Sequence, residues 1–126
     1  MEKNKGKIQK SESEMLARVA AKALDEKKGI DVKIIDLREL QSAPALFFVI
    51  VSGNVPSHVS ALSDAAHEAV KKMFGLNPSK VEGYNNAEWI LMDYFDVVVH
   101  IFQKEKRDYY RLEQLWADGN EIKIES

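Results

Sequence analysis

Cysteine is absent from the 126-residue chain, which excludes disulfides, thiol nucleophiles and zinc sites built on Cys. A chain without it fits a reducing compartment. The three histidines, His58, His67 and His100, stand far apart and show no metal-ligand spacing. No apolar run approaches the roughly 18 residues that a membrane-spanning helix needs. The opening MEKNKGKIQKSESE lacks the apolar segment of a secretory signal. A large excess of charge of either sign is missing too, with 18 Lys and Arg against 20 Asp and Glu. A net charge of −2 argues against general coating of nucleic acid, with a local basic patch left open. Neither a P-loop nor a GxGxxG is present.

What remains is an ordinary globular composition. Hydrophobic residues make up 45% and charged residues 30%, which suits one soluble domain with a core of its own. A mobile basic arm is expected over residues 1–11, where Lys3, Lys5, Lys7 and Lys10 face one acid, Glu2. A single α/β domain is expected over 12–117, and a short polar tail over 118–126.

Ser11 and Glu14 have the spacing of a capping box. Met15, Leu16, Val19, Ala20, Ala23 and Leu24 then form a helical stripe that Gly29 ends. Ile30 to Leu37 reads as a strand. Leu46 to Val51 is an unbroken apolar run, the pattern of a central strand buried on both faces. A helix runs from about Ser57 to Phe74, with Val59, Leu62, Ala66, Ala69, Val70 and Met73 on one side, and Gly75 stops it. Short strands are expected at Val81–Tyr84, Trp89–Asp93 and Asp96–Gln103, then a last helix over Glu105–Trp116. The order predicts a mixed sheet of four or five strands with packed helices.

The hairpin is the most informative stretch. Alternation puts Ile90 and Met92 with Val97, Val99 and Ile101 on one wholly apolar face. The other face carries Trp89, Leu91 and Asp93 with Asp96, Val98 and His100. If Tyr94-Phe95 is the turn, Asp93 faces Asp96, Leu91 faces Val98 and Trp89 faces His100. Two opposed carboxylates need a cation from a partner, a metal ion or the chain's own lysines. The face is therefore either a binding surface or one covered by the chain's own helices. Asp93 and Asp96 near Ser52-Gly53 also permit a metal-dependent nucleotidyl or phosphoryl transferase. Adjacent Ser57 and His58 lack the orienting group a nucleophile needs. Tyr109, Tyr110 and Trp116 could stack bases, though helical spacing suits core packing. The lysine-rich arm could serve an RNA chaperone.

Three ordered blocks carry a resemblance. They are Val81-Glu82-Gly83 with Trp89-Ile90-Leu91-Met92-Asp93-Tyr94 and Asp96-Val97-Val98-Val99-His100-Ile101-Phe102; Tyr109-Tyr110 with Leu112-Glu113 and Leu115-Trp116; and Phe47-Phe48-Val49-Ile50 with Ser52-Gly53 and Val59. From about Glu14 to Trp116 the sequence resembles the ribosomal silencing factor family, also called Iojap-like or RsfS. The resemblance implies a nucleotidyltransferase-like topology without that activity, so no enzyme, no cofactor and no metal. It implies a cytoplasmic translation repressor that binds the large ribosomal subunit through its protein number fourteen at the subunit interface. Docking there blocks joining of the small subunit, and similar organellar proteins act in large-subunit assembly. It assigns the partner surface to Trp89, Leu91, Asp93 and Tyr94, with Asp96 and His100 opposite. No membrane and no sequence-specific nucleic acid is implied, and the free face could self-pair in a homodimer. Two departures stand out. Phe95 occupies a turn position where the family usually has Gly, and Leu46 one where it often has Asp.

Overall fold

The structure is a computed structural model and describes residues 12–124. The basic arm of residues 1–11 and the Ser11 half of the capping box lie outside the described residues. In chain order the elements are α1 (Ser13–Glu26), β1 (Ile30–Asp36), β2 (Phe47–Gly53), α2 (Pro56–Phe74), β3 (Lys80–Glu82), β4 (Trp89–Asp93), β5 (Val97–Gln103), α3 (Lys104–Tyr110), α4 (Leu112–Leu115) and β6 (Asn120–Ile122).

The apolar run of β2 is buried along its whole length and sits inside a mixed sheet of order β3-β4-β5-β2-β1-β6. The β2–β5 pair is parallel, Phe47 beside Val97 through Gly53 beside Gln103, and the other four pairs are antiparallel. The crossover between the parallel strands passes through α2, as a parallel pair requires. One sheet face packs under α1 and α2. There Leu16, Ala20, Leu24, Val59, Leu62 and Val70 meet Val49, Val51, Ile90, Val99 and Ile101. On the opposite face Ile35, Phe48, Ile50, Val98 and Phe102 form a smaller cluster with Leu112 from α4.

Local chemistry explains most boundaries. Pro56 opens α2, where its missing N–H costs nothing. Gly75 closes it at φ 69° with its N–H on the Lys71 carbonyl at 2.8 Å. The α1 stripe is turned from the expected one. Ala17 and Ala21 are buried, while Met15 is exposed. Glu14, the expected capping acid, instead accepts from Arg18 one turn on, at 2.9 and 3.0 Å.

Three expectations are corrected. The sheet has six strands rather than four or five. The polar tail supplies the sixth, because β6 pairs with β1 and Ile122 and Ile124 rest half-buried against the core. A three-residue edge strand with few apolar side chains carries little hydrophobic signal. The last helix also breaks, since Arg111 adopts the left-handed φ of 52° between α3 and α4.

The break has a cause in Arg107, whose guanidinium is buried. Its Nε and Nη2 donate to Glu113 at 2.8 and 3.2 Å, and its Nη1 to the Asp31 carbonyl at 2.8 Å, the Ile30 carbonyl at 3.2 Å and Ser52 Oγ at 3.1 Å. On an unbroken helix, residues six apart are turned about 240° from each other and cannot meet. The two carbonyls sit where the β1–β2 register slips between Ile30 and Lys33, with Asp31 at φ 52°. One side chain thus ties the C-terminal helices to β1 and β2.

Replacing Arg107 with Leu strands Glu113 and the bulge carbonyls, and it is expected to cost about 3 kcal/mol in urea unfolding. The Glu113 carboxyl is drawn from 4.5 down to about 2, first by the hydrogen bond from Arg107 and also by that from Lys33, against the opposing effect of burial. A lowered folded value means that this stabilisation is full above pH 4.5 and is lost as pH falls through about 2. Melting of Glu113→Gln should therefore show a flatter acid limb than wild type.

Candidate functional site

The hairpin builds the site. Tyr94 N–H donates to the Val97 carbonyl at 2.9 Å, so the turn residues are Phe95-Asp96 and not Tyr94-Phe95. Phe95 takes the positive φ of 70° that a tight hairpin needs at this place. Asp93 helps hold it, its Oδ1 accepting the Phe95 N–H at 2.7 Å. Asp96 Oδ2 accepts from Ser13 Oγ on α1 at 3.1 Å, and its carbonyl accepts the N–H groups of Leu46 and Phe47. The turn is anchored on three sides, and that anchoring imposes an unfavourable backbone on a phenylalanine.

Moving the turn by one residue moves the register by two. A slip of two keeps every side chain on its face. The apolar face is as expected, and Ile90, Met92, Val97, Val99 and Ile101 are all buried. The partners across the ladder differ. Trp89 lies opposite Phe102, Leu91 opposite His100 and Asp93 opposite Val98. The two carboxylates are therefore not opposed, and Asp93 instead stands beside Lys80 of β3.

Tyr94 shares the parity of Ile90 and Met92, so it leaves the expected surface. Its ring lies in the main core at 2% exposure, with no hydrogen-bond partner for its hydroxyl. Burial pushes the phenol above its usual pKa. His100 is also buried, at 3% exposure. Trp89 is half-buried, its ring 4.9 Å from Phe102 and 4.7 Å from Tyr110 of α3. Its indole N–H donates to His100 Nδ1 at 3.1 Å. His100 meets Phe48 edge-on at 4.6 Å, and Phe48 meets Trp116 at 6.0 Å. Desolvation lowers the His100 pKa to about 3.

The chain's own helices thus cover part of this face and leave the rest open. Tyr110 packs on Trp89, and Trp116 packs on Phe48. Beside the turn lies a cleft of about 460 Å³. Its floor is Phe48, Val98 and His100, its walls are Leu91, Asp93 and Asp96, and its rim is Pro44, Lys80 and Phe95. Four of the six expected residues line it. Trp89 lies beside it and Tyr94 behind it. Phe48 escaped the sequence reading because a strand buried on both faces shows no alternation. Lys80 could not be placed without the β3 register.

The transferase constellation is not assembled. Ser52-Gly53 lies at the end of β2, whereas Asp96 sits beside its first residue, about 20 Å away along the strand. Ser52 is buried against Arg107. Among the described residues no group of three His, Asp or Glu is placed to hold a metal ion. His58 Nδ1 accepts the Asn54 N–H, and its Nε2 donates to the Lys27 carbonyl, so that ring ties α2 to α1. His67 bonds Asn77. Tyr109 is 77% exposed and packs in no core. No described helix is long and apolar enough to cross a membrane.

Fold and face together define a single-domain α/β protein with a six-stranded mixed sheet, on which an aromatic and acidic face surrounds an open cleft. Residues 10–126 match the family described as ribosomal silencing factor during starvation, and the chain belongs to that family. It is 36% identical over 110 residues to the ribosomal silencing factor RsfS of Halalkalibacterium halodurans, covering 87% of this chain and 92% of that one. It is 37% identical over 104 residues to the RsfS of Bacillus subtilis, covering 82% and 86%. A crystal structure of a Chromobacterium violaceum protein superposes with a TM-score of 0.78 at 30% identity, covering 90% of this chain and 92% of that one.

Two substitutions separate the buried from the exposed aromatic of this turn. Tyr94→Phe removes a hydroxyl that has no partner and is expected to raise stability by up to about 1 kcal/mol. Phe95→Gly relieves the positive φ and is expected to add about 1 kcal/mol, seen as a rise of several degrees in Tm.

Proposed function

We propose that this protein binds the large ribosomal subunit at its protein number fourteen and blocks joining of the small subunit by occupying the shared surface. The observation that carries the reading is the open cleft on the hairpin face, apolar at its floor and acidic on one wall. Family membership supplies the ribosome, and the cleft supplies a surface able to dock. Leu91 contributes buried area, on the order of 2 kcal/mol if fully desolvated. Asp93 and Asp96 meet lysine or arginine and set register and association rate. Trp89 acts with Tyr110 and Phe102 as a stiff wall beside the contact. No bond is made or broken, and occupancy is the mechanism. Such a protein works in the cytoplasm, and in the absence of ribosomes the same face can pair two copies.

Trp89→Ala is a poor reporter of docking. It removes a ring packed within the chain and leaves His100 Nδ1 without its donor, so it lowers stability as well. Charge variants are cleaner. Asp93→Asn keeps an acceptor for the Phe95 N–H, and Asp96→Asn keeps one for Ser13. Purified large subunits are sedimented with wild type and with the double variant, and small subunits are then added. Saturable wild-type binding with joining blocked is expected. The double variant should keep its melting temperature and bind roughly ten-fold more weakly at low salt, the gap narrowing as salt screens the charges. Binding that leaves joining intact would indicate an assembly role, and no binding would refute the proposal.

A further inference from the structure

Acids and bases nearly balance over the whole chain but not along it. Residues 1–11 hold four lysines against Glu2, which leaves fourteen Lys and Arg against nineteen Asp and Glu for the rest. Several cations on that acidic body are paired, Lys33 and Arg107 with Glu113, Arg38 with Asp36, and Lys80 with Glu82. A groove between α1 and β6 departs from this pattern. It measures about 420 Å³ and is lined by Arg18, Lys22, Lys123 and Ile124, with no acid among them. Arg18 gives Nε and Nη2 to Glu14. Lys22 and Lys123 are exposed and, among the described residues, have no ion pair, even though Asp25 and Glu26 stand one turn beyond Lys22. Glu121 of β6 lines a different cavity, with Lys33. Gathering like charges costs free energy unless an anion answers them. Ile124 packs half-buried against the main core beside them.

We infer that the α1–β6 groove, continued by the lysines of residues 1–11, is a second contact surface that takes the phosphate backbone of ribosomal RNA. This rests on the proposed docking and adds a nucleic-acid contact to it. Arg18 and Lys22 stand one helical turn apart, their Cβ atoms about 6 Å from each other, so they can take successive phosphates of one strand. Lysine serves phosphate as a point charge and reads no sequence, so the contact is independent of base identity. The chain enters α1 at Ser13, which bonds Asp96 at the hairpin turn, about 8 Å along the helix from Arg18. The four N-terminal lysines therefore join the body between the hairpin turn and the groove. Sheet order puts β6 at the edge opposite β3, about 20 Å across the strands from β4. One edge is thus suited to a basic protein surface and the other to RNA, and an acidic body between them disfavours the reverse orientation.

Sedimentation with purified large subunits over a range of salt concentrations tests this, with a thermal melt for each chain. Both groove lysines are exposed, so Lys22→Gln with Lys123→Gln should keep the wild-type melt. That pair should bind roughly ten-fold more weakly at low salt. Its plot of log affinity against log salt should be shallower by about 1.5, the share of two phosphates. Adding Lys3→Gln, Lys5→Gln, Lys7→Gln and Lys10→Gln should flatten the plot further, and no further change would strike those residues from the surface. Affinity and slope unchanged in the Lys22 and Lys123 pair would overturn the inference and leave the docking proposal standing. A wild type that does not bind overturns both. Photolysis of Lys22→benzoylphenylalanine on the subunit should cross-link it to RNA. A cross-link to protein alone, or none, would overturn the assignment to RNA.

Discussion

The hydrogen bond from the Trp89 indole to His100 Nδ1 is the interaction on which the proposed docking face depends. It joins β4 to β5 on the side away from the main core. It holds the Trp89 ring against Phe102 and Tyr110, so the C-terminal helix docks on a fixed aromatic wall. It also fixes the tautomer of a buried imidazole, whose proton then sits on Nε2. A histidine in a central strand would ordinarily be a cost. Here the Trp89 bond answers Nδ1, while Nε2 is buried without a partner.

A second buried polar group maintains the frame around that face. Arg107 gathers a bulge in β1, the hydroxyl of Ser52 at the end of β2, and Glu113 beyond a broken helix. Without that break Trp116 could not come back to Phe48. The Ser52 end of β2 is therefore occupied by an arginine of the chain itself.

The sequence made some of this legible and hid the rest for physical reasons. The two hairpin faces were readable because alternation survives any even slip of register. The register itself was not. It depends on which residue accepts a positive φ, and Phe95 is a residue from which that conformation is not expected. Tyr94 was misplaced for the same reason, since moving the turn by one residue sends its ring into the core. The strand β6 was missed because three residues at a sheet edge, two of them exposed, carry almost no pattern. The break at Arg111 depends on a pairing six residues apart that no helical period suggests. Phe48 lay unmarked inside a run in which every residue is buried.

The central claim is that the hairpin face, and not the opposite helical layer, is the docking surface. The most direct test is a cryo-electron microscopy reconstruction of this protein bound to purified large subunits. The account predicts that β4, β5 and the Phe95-Asp96 turn lie against the subunit on the surface that the small subunit would cover, with subunit density filling the cleft over His100. Density that places α1 and α2 against the ribosome, with the cleft open to solvent, would contradict it.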